Sequence, residues 1–517
     1  MRSGTTTKRM ARYLPRLGTL TSSALIVLAM PPVEWSFLVF VGLLPWFFSL
    51  KGCKTLSSAL LQSLWLNILL GFGGAFWVAL GTQRYLSVGA PAGALALLLH
   101  SLVHQGQLVL FGMLFWKALR AAAPQTLMRV LGLASLYTGL DWVTPKLFHD
   151  SLGMILYAYP ELRHLAALGG VPLLTFAVAL VNLASYSWLT GLIDRKPEDG
   201  FAAMAGPSLR LVLPFAGFVL LGSFQLAQTK EALKASSRSL RVGFVQGNID
   251  NALRRRVADA DPDAARTSLE RYLSGTQRLS SSPETLELIV WPEASYPGIF
   301  RKPENEGQLT LNLAFDRFIA DLAVPIAFGA YDREDSAGRR RLRNALYLVT
   351  PTREQPAKQL SPMQVYHKAT LFPVGEYFPM LDEATVRRWL PNSTHLSSGD
   401  GPSLLELSVS KGGPVLLGPS ICYEDVSATH ARSLAMLGAD LLINISNDSW
   451  FGDHGAARWH LIAAALRSVE TGLPQVRATN SGYSAFILPT GELHELTRFD
   501  ESAERSFELP LVSARPT

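Results

Sequence analysis

The sequence predicts two joined parts: a multi-pass α-helical membrane domain over residues 1–230 and an α/β layered domain over residues 240–510. Three observations carry this. A chain of 517 residues is too long for one compact core. Charged residues make up only 17 %, and the shortage is confined to the first 230 residues, where apolar runs alternate with short charged islands. Beyond residue 240 the apolar runs shorten, become β-branched and alternate with helical patterns, as α/β layers do.

Seven apolar stretches read as spans: Leu17–Met30, Trp35–Leu50, Ser57–Leu80, Ala90–Trp116, Leu127–Val143, Leu165–Leu192 and Leu209–Leu226. A helix needs about 20 residues to cross the hydrocarbon core, so the first two are short. Pro31-Pro32-Val33-Glu34 separates them and makes them a hairpin. The first also resembles a signal peptide, with Arg9, Arg12 and Arg16 ahead of its apolar core. No small-residue cleavage site precedes Pro31 and another apolar run follows at once, so it reads as an uncleaved span.

Lys and Arg in alternate loops set the orientation. Thirteen fall on the N-terminal side, Arg2 to Arg16, Lys51, Lys54, Lys117 to Arg129, Arg195, Lys196 and Arg210. Only Arg84, Lys146 and Arg163 fall on the other. The N-terminus is therefore expected in the cytoplasm, and an odd number of spans sends residues 240–510 outside. The net charge of +6 sits mostly between apolar runs, which argues for topology signals and against a nucleic-acid partner. His100 and His104, one helical turn apart, read as a hydrogen-bonding pair inside the bundle, with a substrate role as the alternative, and without a nearby acidic or thiol partner they make a poor metal site.

The outer part carries strand-like runs at Leu240–Val245, Leu286–Trp291, Val324–Ala330, Ala345–Val349, Val415–Ile421, Leu441–Ile445 and Ser484–Leu488. Helical patterns lie around Leu311–Leu322 and His460–Glu470. Continuously apolar strands such as L-E-L-I-V-W suggest a sheet covered on both faces. Three polar residues stand where such strands end: Glu293 after W-P, Lys368 after V-Y-H, and Cys422 after V-L-L-G-P-S-I. Strand ends in α/β folds are where catalytic groups converge. Each residue also has a plain reading as surface glutamate, solvated lysine or packed core cysteine. Cys422 and Cys53, the only two cysteines, fall on opposite sides of the expected membrane, so they form neither a disulfide framework nor a zinc pattern. A free thiol in an oxidising compartment raises the case for a chemical role.

The ordered motifs W-P-E (291–293), Y-H-K…F-P-V-G-E-Y-F-P (366–379), I-C-Y-E (421–424), N-x-S-N-D-x-W-F-G (444–452) and R-A-T-N-S-G (477–482) resemble the nitrilase, or carbon–nitrogen hydrolase, superfamily. With the preceding spans, the chain resembles the apolipoprotein N-acyltransferase branch, bacterial inner-membrane enzymes with a periplasmic catalytic domain. The resemblance implies a nitrilase-like α-β-β-α sandwich and a Glu-Lys-Cys triad, matched by Glu293, Lys368 and Cys422. It implies supporting roles for Glu376, Tyr423, Glu424, Trp450 and Phe451. No cofactor or metal is implied.

The implied reaction passes an acyl chain from a membrane phospholipid to Cys422, then to the N-terminal α-amine of a diacylglyceryl-cysteine apolipoprotein. Glu293 would serve as general base and Lys368 as the oxyanion's cation. Glu376 would orient Lys368 or share proton transfer, and Glu424 would support the loop behind the nucleophile. The branch usually has a Pro and then a Trp after the first strand, where this chain has Asp250 and Arg254-Arg255-Arg256. It also usually has a further span after the catalytic domain, a run not seen before Thr517. These departures keep two alternatives open, a membrane-anchored amidase with water as acceptor and a catalytically silent lipid-binding homologue.

Overall fold

The computed structural model describes residues 3–512 apart from 87, 122–125, 149, 194–201, 282, 304, 337–338, 352–361, 380, 383–384, 387, 389–394 and 410–411. Arg2, Arg195 and Lys196, counted above among the loop charges, lie outside the described residues. Contacts divide the chain into one unit of Met1–Ala227 with His454–Trp459 and another of Gln228–Asp453 with His460–Thr517.

The first unit is helical: α1 (Ser3–Ala29), α2 (Leu44–Gly52), α3 (Leu56–Gly74), α4 (Trp77–Leu86), α5 (Ala90–Val103), α6 (Gly106–Arg120), α7 (Leu127–Val143), α8 (Pro160–Arg163), α9 (Ala166–Ile193) and α10 (Ala202–Ala235). Among the described residues, four stretches are long and apolar enough to cross a membrane: Leu56–Gly74, Ala90–Arg120, Ala166–Ile193 and Val212–Ala235.

Four stretches read from sequence as continuous spans are interrupted, Ser57–Leu80 between α3 and α4, Leu165–Leu192 at the non-helical Gly169-Gly170, and two others where a fully buried asparagine of another helix bridges the break. Trp35–Leu50 is a short 3-10 helix, Ser36–Phe40, followed by α2. Asn182 of α9 bridges that break, accepting from Leu43 N at 2.9 Å and donating to Val39 O at 2.9 Å. Ala90–Trp116 is likewise split between α5 and α6, where Asn67 of α3 donates to Leu102 O and accepts from Gln105 N, both at 2.9 Å. Backbone groups freed inside an apolar bundle must find partners, and a side-chain amide supplies both a donor and an acceptor. The histidine pair does gain an acidic neighbour: His104 Nε2 lies 3.2 Å from Asp150 Oδ2, with the His100 and His104 rings 4.7 Å apart. Residue 150 is too far along the chain for spacing to reveal this.

The second unit contains two six-stranded sheets. The first runs β12 (Ala503–Leu511), β1 (Arg238–Gln246), β2 (Leu288–Val290), β3 (Ile326–Ser336), β4 (Arg339–Val349), β5 (Met363–His367). The second runs β11 (Leu493–His494), β10 (Ala485–Ile487), β9 (Gln475–Thr479), β8 (Leu441–Ser446), β7 (Val415–Ile421), β6 (Leu405–Leu407). Strands β1, β2 and β3 pair in parallel, as do β7, β8 and β9, while the flanking strands pair antiparallel.

Adjacent residues of L-I-V-W point into different layers, because side chains alternate along a strand. Leu288 and Val290 join Val242, Phe244, Leu417, Ile443 and Val476 in the core between the sheets. After α11 (Asn251–Ala258) comes helix α12 (Pro262–Ser280), and Ile289 and Trp291 face the other way, onto its Tyr272 and onto Phe315 and Ile319 of α13 (Glu306–Leu322). Outside the second sheet, Leu442 packs with Leu434 of α14 (Ala428–Leu437). The layers are therefore α-β-β-α, as expected, and continuous apolar strands follow from cover on both faces.

Candidate active site

Glu293 leaves the end of β2 in a turn pressed against β3. A Cβ placed on Gly329 would lie 2.5 Å from Ala294 N and 2.7 Å from Glu293 Cα, so only glycine admits this approach. Gly329 N also donates to Pro292 O at 3.1 Å. Lys368 leaves the end of β5 and is 1 % exposed, its backbone N held by Asn344 O of β4 at 2.9 Å.

The side chains converge on the lysine. Nζ of Lys368 donates to Glu376 Oε1 at 2.7 Å and stands 3.9 Å from Glu293 Oε1. Glu376 Oε2 accepts from Phe372 N at 2.7 Å, so both of its oxygens are engaged. Asn344 donates to Glu293 Oε1 at 2.7 Å and reaches Glu376 Oε1 at 3.4 Å. Glu293 Oε2 takes no hydrogen bond among the described residues, which leaves it as the oxygen able to receive a proton. Burial raises the Glu293 carboxyl above the ordinary glutamate range; Lys368 opposes this and the Glu376 charge adds to it. Burial works against the Lys368 charge, but the carboxylates around it, Glu376 first and then Glu293, outweigh it and hold the ammonium strongly protonated.

Cys422 closes β7 with φ +52°, a left-handed conformation that side-chain-bearing residues rarely take. Such strain persists only where the surroundings enforce it. The enforcing group is Glu424, which is fully buried in the 3-10 turn Cys422–Val426. Its Oε2 accepts from Ile421 N at 2.8 Å. Its Oε1 accepts from Tyr366 Oη, Ala369 N and Thr370 N at 2.7–2.9 Å. One carboxylate thus ties the cysteine turn to the residues on either side of Lys368. Burial pushes the Cys422 thiol far up, and the Glu293 charge pushes it further. At neutral pH the sulfur is held as a thiol, and attack requires a base to take its proton.

Tyr423, Phe372, Trp450 and Phe451 form a row of ring contacts. Successive centroids lie 5.2, 5.5 and 3.8 Å apart. All eight residues singled out from sequence therefore belong to this neighbourhood. Sequence reasoning missed Asn344 and Phe372. Asn344 stands alone before the apolar run A-L-Y-L-V with no motif to mark it, while Phe372 lay unassigned inside a quoted motif.

Two family models match the chain: carbon-nitrogen hydrolase over residues 241–503 and the apolipoprotein N-acyltransferase N-terminal domain over residues 22–184. The chain is similar to the apolipoprotein N-acyltransferase of Gloeobacter violaceus, 29 % identical over 91 % of this chain and 83 % of that one. It is also similar to that of Azotobacter vinelandii, 29 % identical over 96 % and 90 %. Among solved structures it is similar to Saccharomyces cerevisiae Nit3, a member of the nitrilase superfamily. There the identity is 17 % over 53 % of this chain and 91 % of that one, with a TM-score of 0.38. Since the carbon-nitrogen hydrolase match alone takes in more than half of the 517 residues, the chain belongs to the carbon–nitrogen hydrolase family.

Proposed function

We propose that this protein is an apolipoprotein N-acyltransferase that uses Glu293, Lys368 and Cys422. The observation that carries the reading is that one chain joins a carbon–nitrogen hydrolase match to the N-terminal domain match of apolipoprotein N-acyltransferases. Apolar helices long enough to span a bilayer support a substrate met in the membrane. That favours lipid acyl transfer over a soluble amidase's chemistry.

The Cys422 sulfur attacks an ester carbonyl of a phospholipid while Glu293 Oε2 takes the thiol proton. Lys368 stands by the carboxylates as a fixed cation that stabilises the oxyanion. Glu376 serves it as an anchor, since both carboxylate oxygens already accept hydrogen bonds. Collapse breaks the ester C–O bond, returns the proton to the leaving alkoxide and releases a lysophospholipid. The acyl chain remains as a thioester on Cys422. The neutral α-amine of a diacylglyceryl-cysteine then attacks the thioester. Glu293 takes the amine proton, and sulfur leaves and is reprotonated as the amide forms, a ping-pong sequence. The row from Tyr423 to Phe451 offers an apolar wall for the chain. The excess of Lys and Arg on the N-terminal side supports a multi-pass inner-membrane protein with its catalytic domain in the periplasm.

The test is incubation of the purified protein with phospholipid and a diacylated lipopeptide. The lipopeptide should gain the mass of one acyl chain, and the gain should vanish in Cys422→Ser. Release of free fatty acid with no lipopeptide product would point instead to a hydrolase.

A further inference from the structure

Behind the cysteine turn lies a charged cluster that the thiol chemistry does not use. Arg477, which opens the R-A-T-N-S-G motif, is the central residue of β9 and is fully buried. Its Nη1 donates to Asp425 and to Asn444 Oδ1, the latter at 2.5 Å, and its Nη2 donates to Asp448 Oδ2 at 3.0 Å. His460, on helix α15 (Ala456–Thr471), faces the same two carboxylates. Its Nε2 is 2.6 Å from Asp425 Oδ1 and its Nδ1 is 3.0 Å from Asp448 Oδ1. Burial pulls the imidazole down, but Asp425 and Asp448 lift it to about 9, so both ring nitrogens carry protons at neutral pH. Two cations and two anions then balance inside the fold.

Stability alone does not account for this arrangement, because a buried ion cluster is often no more stabilising than apolar residues of the same volume. Its connections are more telling. Asp425 lies within the 3-10 turn that begins at Cys422. Asp448 lies two residues before Trp450. The turn is gripped a second time where Arg467 donates to Val426 O at 2.9 Å. The charges of Asp448 and Arg477 also reach the sulfur, the first raising the thiol and the second interacting with it.

We propose that Arg477, together with His460, is a positioning residue of the thiol reaction. It locks the turn carrying Cys422 to the loop carrying Trp450 and Phe451, so that the sulfur keeps one placement while acyl chains enter and leave. The proposal rests on the reading of Cys422 as the nucleophile.

The test uses the full chain in detergent and compares Arg477→Lys with the paired variant Arg477→Met/Asp425→Asn. The lysine keeps the charge but not the fork. The pair removes one cation and one anion and leaves His460 matched to Asp448. Three quantities are read: thermal unfolding, thioester formation on Cys422 from phospholipid, and alkylation of Cys422 by iodoacetamide, which needs no lipid. The paired variant should fold and slow thioester formation about 30-fold with KM for phospholipid changed less than about threefold, the pattern of a misplaced nucleophile. Alkylation should slow as well, and Arg477→Lys should fall between the two proteins.

A folded pair within about twofold of the unsubstituted protein in both rates would overturn the proposal. Failure of both variants to fold would also overturn it, by making the cluster a stability element. An unsubstituted protein that alkylates normally but takes no acyl chain from phospholipid would overturn the proposed function instead. Slowed alkylation in the variants would then still support the positioning role.

Discussion

At Glu293 burial lifts the proton affinity, and two neighbours that tune it make opposite predictions. Glu376 raises the Glu293 carboxyl through its charge, whereas the Asn344 hydrogen bond lowers it. As the proposed base, Glu293 must be ionised to work, so its pKa should appear as the acid limb of kcat/KM. Glu376→Gln should move that limb to lower pH, and Asn344→Leu should move it to higher pH; equal limbs in a pH series would refute Glu293 as the base. Lys368→Met removes the cation and leaves two carboxylates facing each other, so thioester formation should fall by about 100-fold or more in a quenched-flow assay. Lys368 was legible in sequence because it sits inside a long motif. Asn344 was not, because a lone asparagine on a strand acquires meaning only when β5 and the Glu293 turn come beside it.

Elements act through two small devices. Glu424 holds β7's end to the Lys368 loop by four hydrogen bonds, so Glu424→Ala leaves several buried N–H groups without acceptors. That should cost roughly 3 kcal/mol or more, read from denaturant midpoints, together with most of the thioester rate. Gly329→Ala should destabilise by roughly 1–3 kcal/mol and displace Glu293, since the added methyl would meet backbone rather than a yielding side chain. Strands were visible in the sequence where both faces are apolar, as in L-L-I-N-I. They were hidden where polarity is satisfied inside: β9 reads Q-V-R-A-T, yet all five residues are buried because Arg477 finds two carboxylates. β12, rich in charge, was missed because it is the edge of its sheet, pairing with β1 along its whole length and with no strand beyond it among the described residues.

For the molecule as a whole, the distribution of Lys and Arg predicts the side of the membrane. In a Cys53→Ser/Cys422→Ser background, Thr285→Cys should react with an impermeant maleimide in spheroplasts, while Lys54→Cys should react only after lysis. Both positions are exposed, and the reverse pattern would overturn the periplasmic assignment. The sequence by itself determined the division into an apolar helical part and an α/β part, the orientation expected, and the residues proposed to carry the chemistry. Those properties are written locally, in hydropathy, in strand periodicity and in short motifs. Only the tertiary structure decided where apolar runs break and are bridged by Asn67 and Asn182, which carboxylate grips Lys368, and how Cys422 is forced to a positive φ. It alone revealed the ion cluster behind that cysteine, since Asp425, Asp448, His460 and Arg477 are separated by up to fifty-two positions. Buried charges are stable only when complementary groups from distant strands arrive together, and no local pattern encodes that meeting.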